Sequence, residues 1–155
     1  MSEYIVKIIP RKPDHIIGKT AAENVIGLLK TFTENTSGYY DEIKYEEYDN
    51  TEFIDCGSDL ETIKCPVCGE LLDEDKWSES VNAAYETGFS SLETVMPCCG
   101  GRCSLNELDY YFPVGFAKCC ISILNCTFRD KLNDETIRKI SEIIGEDIKL
   151  IDAHY

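Results

Sequence analysis

Several features are scarce in this 155-residue chain, and each scarcity excludes a class of function. Basic residues are few, because 15 lysines and arginines stand against 29 acidic residues, and the formal net charge is −14. Such a charge repels polyphosphates and anionic lipid surfaces, so the sequence predicts neither nucleic acid nor a membrane as a partner. The chain also lacks the roughly 18 to 20 consecutive apolar residues that cross a bilayer.

Targeting signals and histidines are scarce as well. The first seven residues lack the basic region and apolar stretch of a secretory signal, and we therefore expect a cytoplasmic protein. The only histidines are His15 and His154, and neither begins a His-x-Glu motif, which excludes a zinc deaminase site. We found no internal repeat and no linker rich in proline or serine, and the length fits one domain, residues 1–155.

What is present indicates an α+β fold. Short β-branched or alternating segments predict strands at 4–9, 43–53, 61–64, 92–96, 116–124 and 147–152, and Asp49-Asn50 suggests that 43–53 is a meander with a turn. Three cap signals, at Thr20 with Glu23, at Asp73 and at Asn133, predict three helices. We expect a mixed or antiparallel sheet with helices covering one face, because strands outnumber helices and do not alternate with them.

Nine cysteines are many for a reducing compartment, and an odd number argues against a closed set of disulfides. Cys65-Pro66-Val67-Cys68-Gly69 has the spacing of a turn that binds one tetrahedral ion through two thiolates. A second cluster follows a helix and a strand and contains Cys98, Cys99 and Cys103. The two clusters predict a structural zinc site within a zinc-ribbon-like subdomain at 62–104. We expect Cys65 and Cys68 to be ligands, and the spacing leaves open which two of the other three complete the site.

The remaining cysteines lie in or beside apolar patterns and have no companion at ligand spacing, so we expect them to be buried structural thiols: Cys56, Cys119, Cys120 and Cys126. A redox role for Cys65 and Cys68 is disfavoured, because the next helix begins only near Asp73 and its dipole lies too far away to activate a thiol. A site closed by four thiolates leaves no position for water or substrate, so we name no catalytic residue.

Gly18-Lys19-Thr20 lies between a predicted strand and a predicted helix, where a phosphate-binding loop ends. The full motif requires glycine where this chain has Pro13, so a nucleotide binder would be degenerate. In such a nucleotide site, Asp152, which follows an apolar run, is the candidate ligand for magnesium. An enzyme that depends on zinc, a thiol or this loop is the alternative hypothesis.

The stretch 34–93 carries the whole net charge of −14, and within it residues 39–61 interleave acidic side chains with tyrosines. A dense acidic run is typical of a solvated face or of a surface that docks a basic partner, and tyrosine is enriched at interfaces. The first hypothesis is therefore a non-enzymatic interaction module, regulatory or resembling an immunity protein, with a basic protein as its partner.

The motifs Cys65-Pro66-Val67-Cys68-Gly69, Pro97-Cys98-Cys99-Gly100, Ser104-Leu105-Asn106-Glu107-Leu108 and Pro113-Val114-Gly115-Phe116-Ala117 resemble those of a family of small acidic bacterial proteins of unestablished function. The likeness spans residues 5–155. It implies a cytosolic bacterial protein with a zinc-ribbon-like insertion and supplies no reaction. Members of that family lack a cysteine at the place of Cys103, which shifts the expected ligands toward Cys98 and Cys99.

Overall fold

The computed structural model describes residues 3–34, 37–58 and 60–155. Asp59 of the acidic stretch and the first two residues of the chain lie outside the described part. Within the described part the chain forms three α-helices and eight strands, in the order β1 Tyr4–Pro10, α1 Lys19–Glu34, β2 Glu42–Ile54, β3 Ile63–Lys64, α2 Glu74–Tyr85, β4 Glu93–Val95, β5 Arg102–Ser104, β6 Asp109–Tyr110, β7 Gly115–Leu124, α3 Asp134–Ile144 and β8 Ile148–His154.

Four long strands form an antiparallel sheet in the order β2-β7-β1-β8. Strand β1 lies inside the sheet, where Ile8 is opposite Ile121 of β7 on one side and Leu150 of β8 on the other. Two small two-stranded sheets, β3 with β6 and β4 with β5, accompany it. The predicted α+β class is confirmed, and the sheet is antiparallel.

The meander predicted for 43–53 is wrong. β2 is one continuous strand whose two halves both pair with β7, with Glu46 opposite Cys120 and Phe53 opposite Phe116. The register shifts between Glu47 and Glu52, so the Asp49-Asn50 dipeptide lies in a bulge and not in a reversal of the chain.

Helices α1 and α3 cover one sheet face, as predicted. The alternate residues Val6 and Ile8 of β1 face them and pack with Val25 of α1 and Ile140 of α3. We call this cluster the α1–α3 core.

Helix α2 does not share that face, contrary to the expectation for all helices. Its Trp77 packs against Phe53 of β2, which in turn contacts Phe116 of β7, and both phenylalanines lie on the opposite face of the sheet. We call this second cluster, built from α2, the small sheets and one end of the main sheet, the α2 core. The helices α1 and α3 therefore lie on one face of the sheet, and α2 covers part of the other.

The predicted N-caps of α2 and α3 are confirmed. The Asp73 carboxylate accepts hydrogen bonds from the backbone N–H groups of Asp75 and Lys76, and the Asn133 side chain accepts one from Thr136. The cap predicted at Thr20 is wrong, because α1 begins one residue earlier, at Lys19, and Thr20 lies inside the helix. The carbonyl of Gly18 accepts the first helical hydrogen bond, from Ala22.

Candidate metal centre

Two hairpin loops with the same backbone hydrogen bonds carry the clustered cysteines. The first spans 65–70 between the bridged residues Lys64 and Leu71, and the second spans 96–101 between Val95 of β4 and Arg102 of β5. In the first loop the N–H of Gly69 donates to the backbone carbonyl of Cys65, and the N–H of Cys65 donates to the backbone carbonyl of Glu70, both at 2.9 Å.

The second loop repeats this pattern with Met96 in the place of Cys65. The N–H of Gly100 donates to the Met96 carbonyl at 2.9 Å, and the N–H of Met96 donates to the Gly101 carbonyl at 2.8 Å. Gly69 and Gly100 close the two loops at φ values of 79° and 72°, a backbone conformation that side chains other than glycine rarely adopt. The two loops are thus the same turn.

The second loop differs from the first in where its cysteines stand. Cys99 corresponds to Cys68, but Cys98 corresponds to Val67, and the place of Cys65 is taken by Met96, which is 3% exposed. The second turn therefore presents its sulfur atoms from adjacent residues, where the first presents them from residues three apart.

Four sulfur atoms meet between the two turns. The Sγ atoms of Cys65, Cys68, Cys98 and Cys99 all lie within 4.8 Å of one another. Cys65 and Cys99 are 3.8 Å apart, and Cys68 and Cys98 are 3.4 Å apart. A tetrahedral ion with metal–sulfur bonds of about 2.3 Å separates its sulfur ligands by about 3.8 Å, so the cluster has the size of a tetrathiolate site.

The thiols of the cluster differ in pKa. Burial would raise the pKa of the Cys65 thiol, but hydrogen bonds from the backbone N–H groups of Cys68 and Val67 and from the neighbouring thiols lower it to about 7. Burial and the thiols of Cys68 and Cys65 raise the pKa of Cys98 to about 12. Without a cation, neighbouring thiolates repel one another, so the four thiols cannot all ionise near neutral pH. A divalent ion would stabilise all four thiolates.

Cys103 is not part of this group. It lies on β5 opposite Thr94, is half-buried, and packs against the α2 core. Burial raises the pKa of its thiol, with smaller contributions from Cys65 and Cys99. The structure therefore brings together four of the five cysteines that the sequence singled out.

The other four cysteines are buried in the two cores. Cys56 and Cys120 lie in the α2 core, and Cys119 and Cys126 lie in the α1–α3 core.

The alternative sequence candidates lie apart from this cluster. Gly18-Lys19-Thr20 does lie at a strand-to-helix junction, but the N–H of Gly18 donates to the Tyr45 hydroxyl at 3.0 Å, so this donor of the loop is already engaged. Asp152 accepts two hydrogen bonds from the guanidinium of Arg129. His154 stacks on Tyr4 with ring centroids 4.8 Å apart.

The sequence prediction brought the two cysteine clusters together but did not identify their loops as the same turn, although the sequence contains a signal for this. Both loops read Pro-x-Cys-Gly, at residues 66–69 and 97–100. Aligning these tetrapeptides would have placed Cys99 on Cys68 and made Cys98 its neighbour in the same turn. It would not have placed Cys98 beside Cys68, because that contact depends on how the two hairpins face each other.

The fold and the cluster define an α+β protein with four cysteines placed so that they could hold a metal ion such as zinc. Comparison with protein-family models, with curated proteins and with solved structures finds no match. None of the helices in the described part of the chain has the length and apolar character needed to span a membrane.

Proposed function

We propose that the cysteines at positions 65, 68, 98 and 99 bind one zinc ion and that this ion is structural. The observation that carries the proposal is the convergence of four sulfur atoms within 4.8 Å from two turns of the same design. Four soft thiolate donors in tetrahedral arrangement favour zinc over hard, oxygen-seeking cations. In such a site every position around the ion is taken by protein, so the ion has no place for water or substrate.

The ion would stabilise the segment 62–104 as a zinc-ribbon-like subdomain. The strands next to the two turns are short, with two residues in β3 and three in β4 and in β5. Strands of this length hold few backbone hydrogen bonds, so a metal that ties the two hairpins together would supply much of their stability. Thiolate ligation requires reduced cysteines, which supports a cytoplasmic location for the protein.

We further propose that the protein acts without catalysis, as an interaction module for a basic protein. The support is the edge strand β2, on which exposed carboxylates follow one another at Glu42, Glu46, Glu47, Asp49 and Glu52. Opposite charge on a partner would steer its approach, as in regulatory and immunity-type inhibitors. Of the interleaved tyrosines Tyr39 is 57% exposed, whereas Tyr40, Tyr45 and Tyr48 pack in part against the cores.

Metal analysis of the purified protein tests the zinc proposal. We expect about one zinc per chain, and a cobalt-substituted sample should show the absorption of a tetrahedral thiolate site. Cys68→Ser should lose the metal, and because Cys68 is exposed the change does not disturb the packed core. Cys103→Ser is the matched control, since it removes a neighbouring thiol outside the cluster and should retain the metal. Wild-type protein that binds no zinc, or two variants that lose it equally, would overturn the proposal.

A further inference from the structure

The part of the sheet that α2 leaves uncovered forms a cavity of about 570 Å³, which we call the cup. Ile5 and Lys7 of β1 and Ser122 and Leu124 of β7 form its floor, and β2 supplies one wall. These residues alternate along the strands with the ones that pack in the α1–α3 core, so the cup lies on the opposite face from α1 and α3. Its volume is within the range of roughly 300 to 1,000 Å³ that is usual for ligand sites.

The floor contains a lysine whose donors are all engaged. The Nζ of Lys7 donates to the backbone carbonyl of Asp55 at 2.9 Å, to its carboxylate at 3.0 Å and to the Tyr155 hydroxyl at 2.6 Å. The Tyr155 hydroxyl donates in turn to the same carboxylate at 2.9 Å. An ammonium group has three donors, so Lys7 has none left for an anionic ligand.

Carboxylates outnumber cations around the cup. Five carboxylates line it, namely Glu3, Glu42, Glu46, Glu52 and Asp55. The two lysines in the lining, Lys7 and Lys44, each contact one of these carboxylates, Lys44 at 3.1 Å from Glu46. A concave site with excess negative charge and apolar walls concentrates a cationic ligand.

Aromatic rings favour one kind of cation. Tyr48, Phe53 and Tyr155 line the cup beside the carboxylates. Guanidinium stacks on aromatic faces, pairs with carboxylates through two hydrogen bonds, and is more weakly hydrated than ammonium. The acids do not suit a metal ion, because among the described residues only the four-cysteine group converges closely enough to hold one.

We propose that the cup binds the guanidinium group of an arginine in a basic protein partner, with Glu42 and Glu46 as the main acceptors. The register supports this pair, since Glu42 is opposite Leu124 and Glu46 is opposite Cys120, so both side chains rise from the cup side of β2. This inference rests on the proposed role as an interaction module and names the place and the chemistry of recognition.

A short fluorescein-labelled peptide of alternating arginine and glycine is the probe, and a lysine–glycine peptide is its comparison. The test measures fluorescence anisotropy of both peptides with zinc-loaded wild-type protein and with two charge-matched double variants. Glu42→Gln/Glu46→Gln should weaken arginine-peptide binding about five- to tenfold, as expected for the loss of two partly exposed charged contacts. Glu23→Gln/Glu34→Gln removes the same charge from exposed positions on α1, behind the sheet, and should change binding by less than about twofold.

The outcomes distinguish failure of the proposed arginine site from failure of the proposed basic partner. Equal weakening in the two double variants would overturn the cup and leave a diffuse acidic docking surface. Equal affinity for the lysine peptide would overturn the guanidinium assignment. No binding of either peptide by wild-type protein would overturn both the cup and the proposed basic partner. Amide signals that shift on peptide addition should belong to Lys7, Phe53 and Ser122, and shifts confined to α1 or α3 would also contradict the cup.

Discussion

Tyr110 joins three parts of the α2 core through one hydroxyl group. The hydroxyl donates to the carbonyl of Leu105 at 2.7 Å and accepts from the Trp77 indole N–H at 3.1 Å. Its ring also lies edge to face with that indole, with centroids 6.1 Å apart. The α2 helix is therefore fixed to the segment that follows the second turn by a hydrogen bond as well as by packing.

Tyr110→Phe should destabilise the protein by about 1 to 3 kcal/mol, because a buried indole N–H and a buried carbonyl lose their partner while the ring volume is kept. Tyr111→Phe is the control from the neighbouring residue, whose side chain is 66% exposed, and it should change stability by less than about 0.5 kcal/mol. Urea unfolding of both variants measures the difference. Equal effects at 110 and 111 would contradict a role for the hydroxyl.

Asp152 supplies a dependence of stability on pH. Burial would raise the pKa of its carboxyl, but hydrogen bonds from Arg129 and Tyr4 and the charge of Arg129 hold it below its usual value. A carboxyl with a depressed pKa in the folded state stabilises the protein above the unfolded pKa of about 3.9, and this stabilisation is lost as the pH falls through the folded pKa.

Asp152→Asn should therefore be less stable than wild type at neutral pH and should approach it as the pH falls below about 4. Urea midpoints followed from neutral to acidic pH give this comparison. Asp130→Asn removes an exposed carboxylate nearby and should run parallel to wild type. A constant gap between Asp152→Asn and wild type at every pH would exclude the linkage.

Among the secondary-structure elements, those around the two turns are held differently from those of the main sheet. β3, β4, β5 and β6 contain two or three residues each, whereas β2 and β7 pair over most of their length. The α1–α3 core contains none of the four clustered cysteines, whereas the α2 core contains Cys65. Loss of metal should thus weaken the two parts unequally.

Removing the proposed zinc ion with a strong chelator should raise amide hydrogen exchange first in 62–104 and in α2, while amides of β1 and β7 stay protected. Hydrogen-exchange mass spectrometry resolves the two regions, and Cys68→Ser without chelator should give the same pattern. Uniform acceleration along the whole chain would show that the metal stabilises both cores as one cooperative unit.

Elements defined by local signals were predicted well from sequence. The caps at Asp73 and Asn133 and the β-branched run of β7 depend on neighbouring residues, and the structure confirms all three. The prediction for β2 was wrong because β2 is kept as one strand by its pairing with β7, which lies far along the chain. Asp49-Asn50 forms a bulge in this pairing and not a turn. The convergence of the cysteines was expected, but the contact between Cys98 and Cys68 depends on how the two hairpins face each other, which the sequence does not reveal.

At the scale of the whole molecule, the excess of acidic residues was evident in the sequence, but the cup was not. Its floor and rim combine Lys7, Asp55 and Tyr155, which come from three distant segments. They meet only because the segment after β2 reaches the end of β8, where Gly57 pairs with His154. The proposal of a basic partner follows from composition, and only the fold shows where aromatic rings accompany the carboxylates.

The strand order also governs how this chain can fold while it is being synthesised. β1 lies inside the sheet, yet both of its neighbours, β7 and β8, leave the ribosome after α2 and the two cysteine turns. The apolar strand with Ile8 and Ile9 therefore has neither strand partner until β7 has been synthesised, and the sheet closes by long-range contacts, which form slowly. The apolar surface of β1 therefore stays exposed to non-native contacts until β7 and β8 have emerged, and only then can the main sheet be completed.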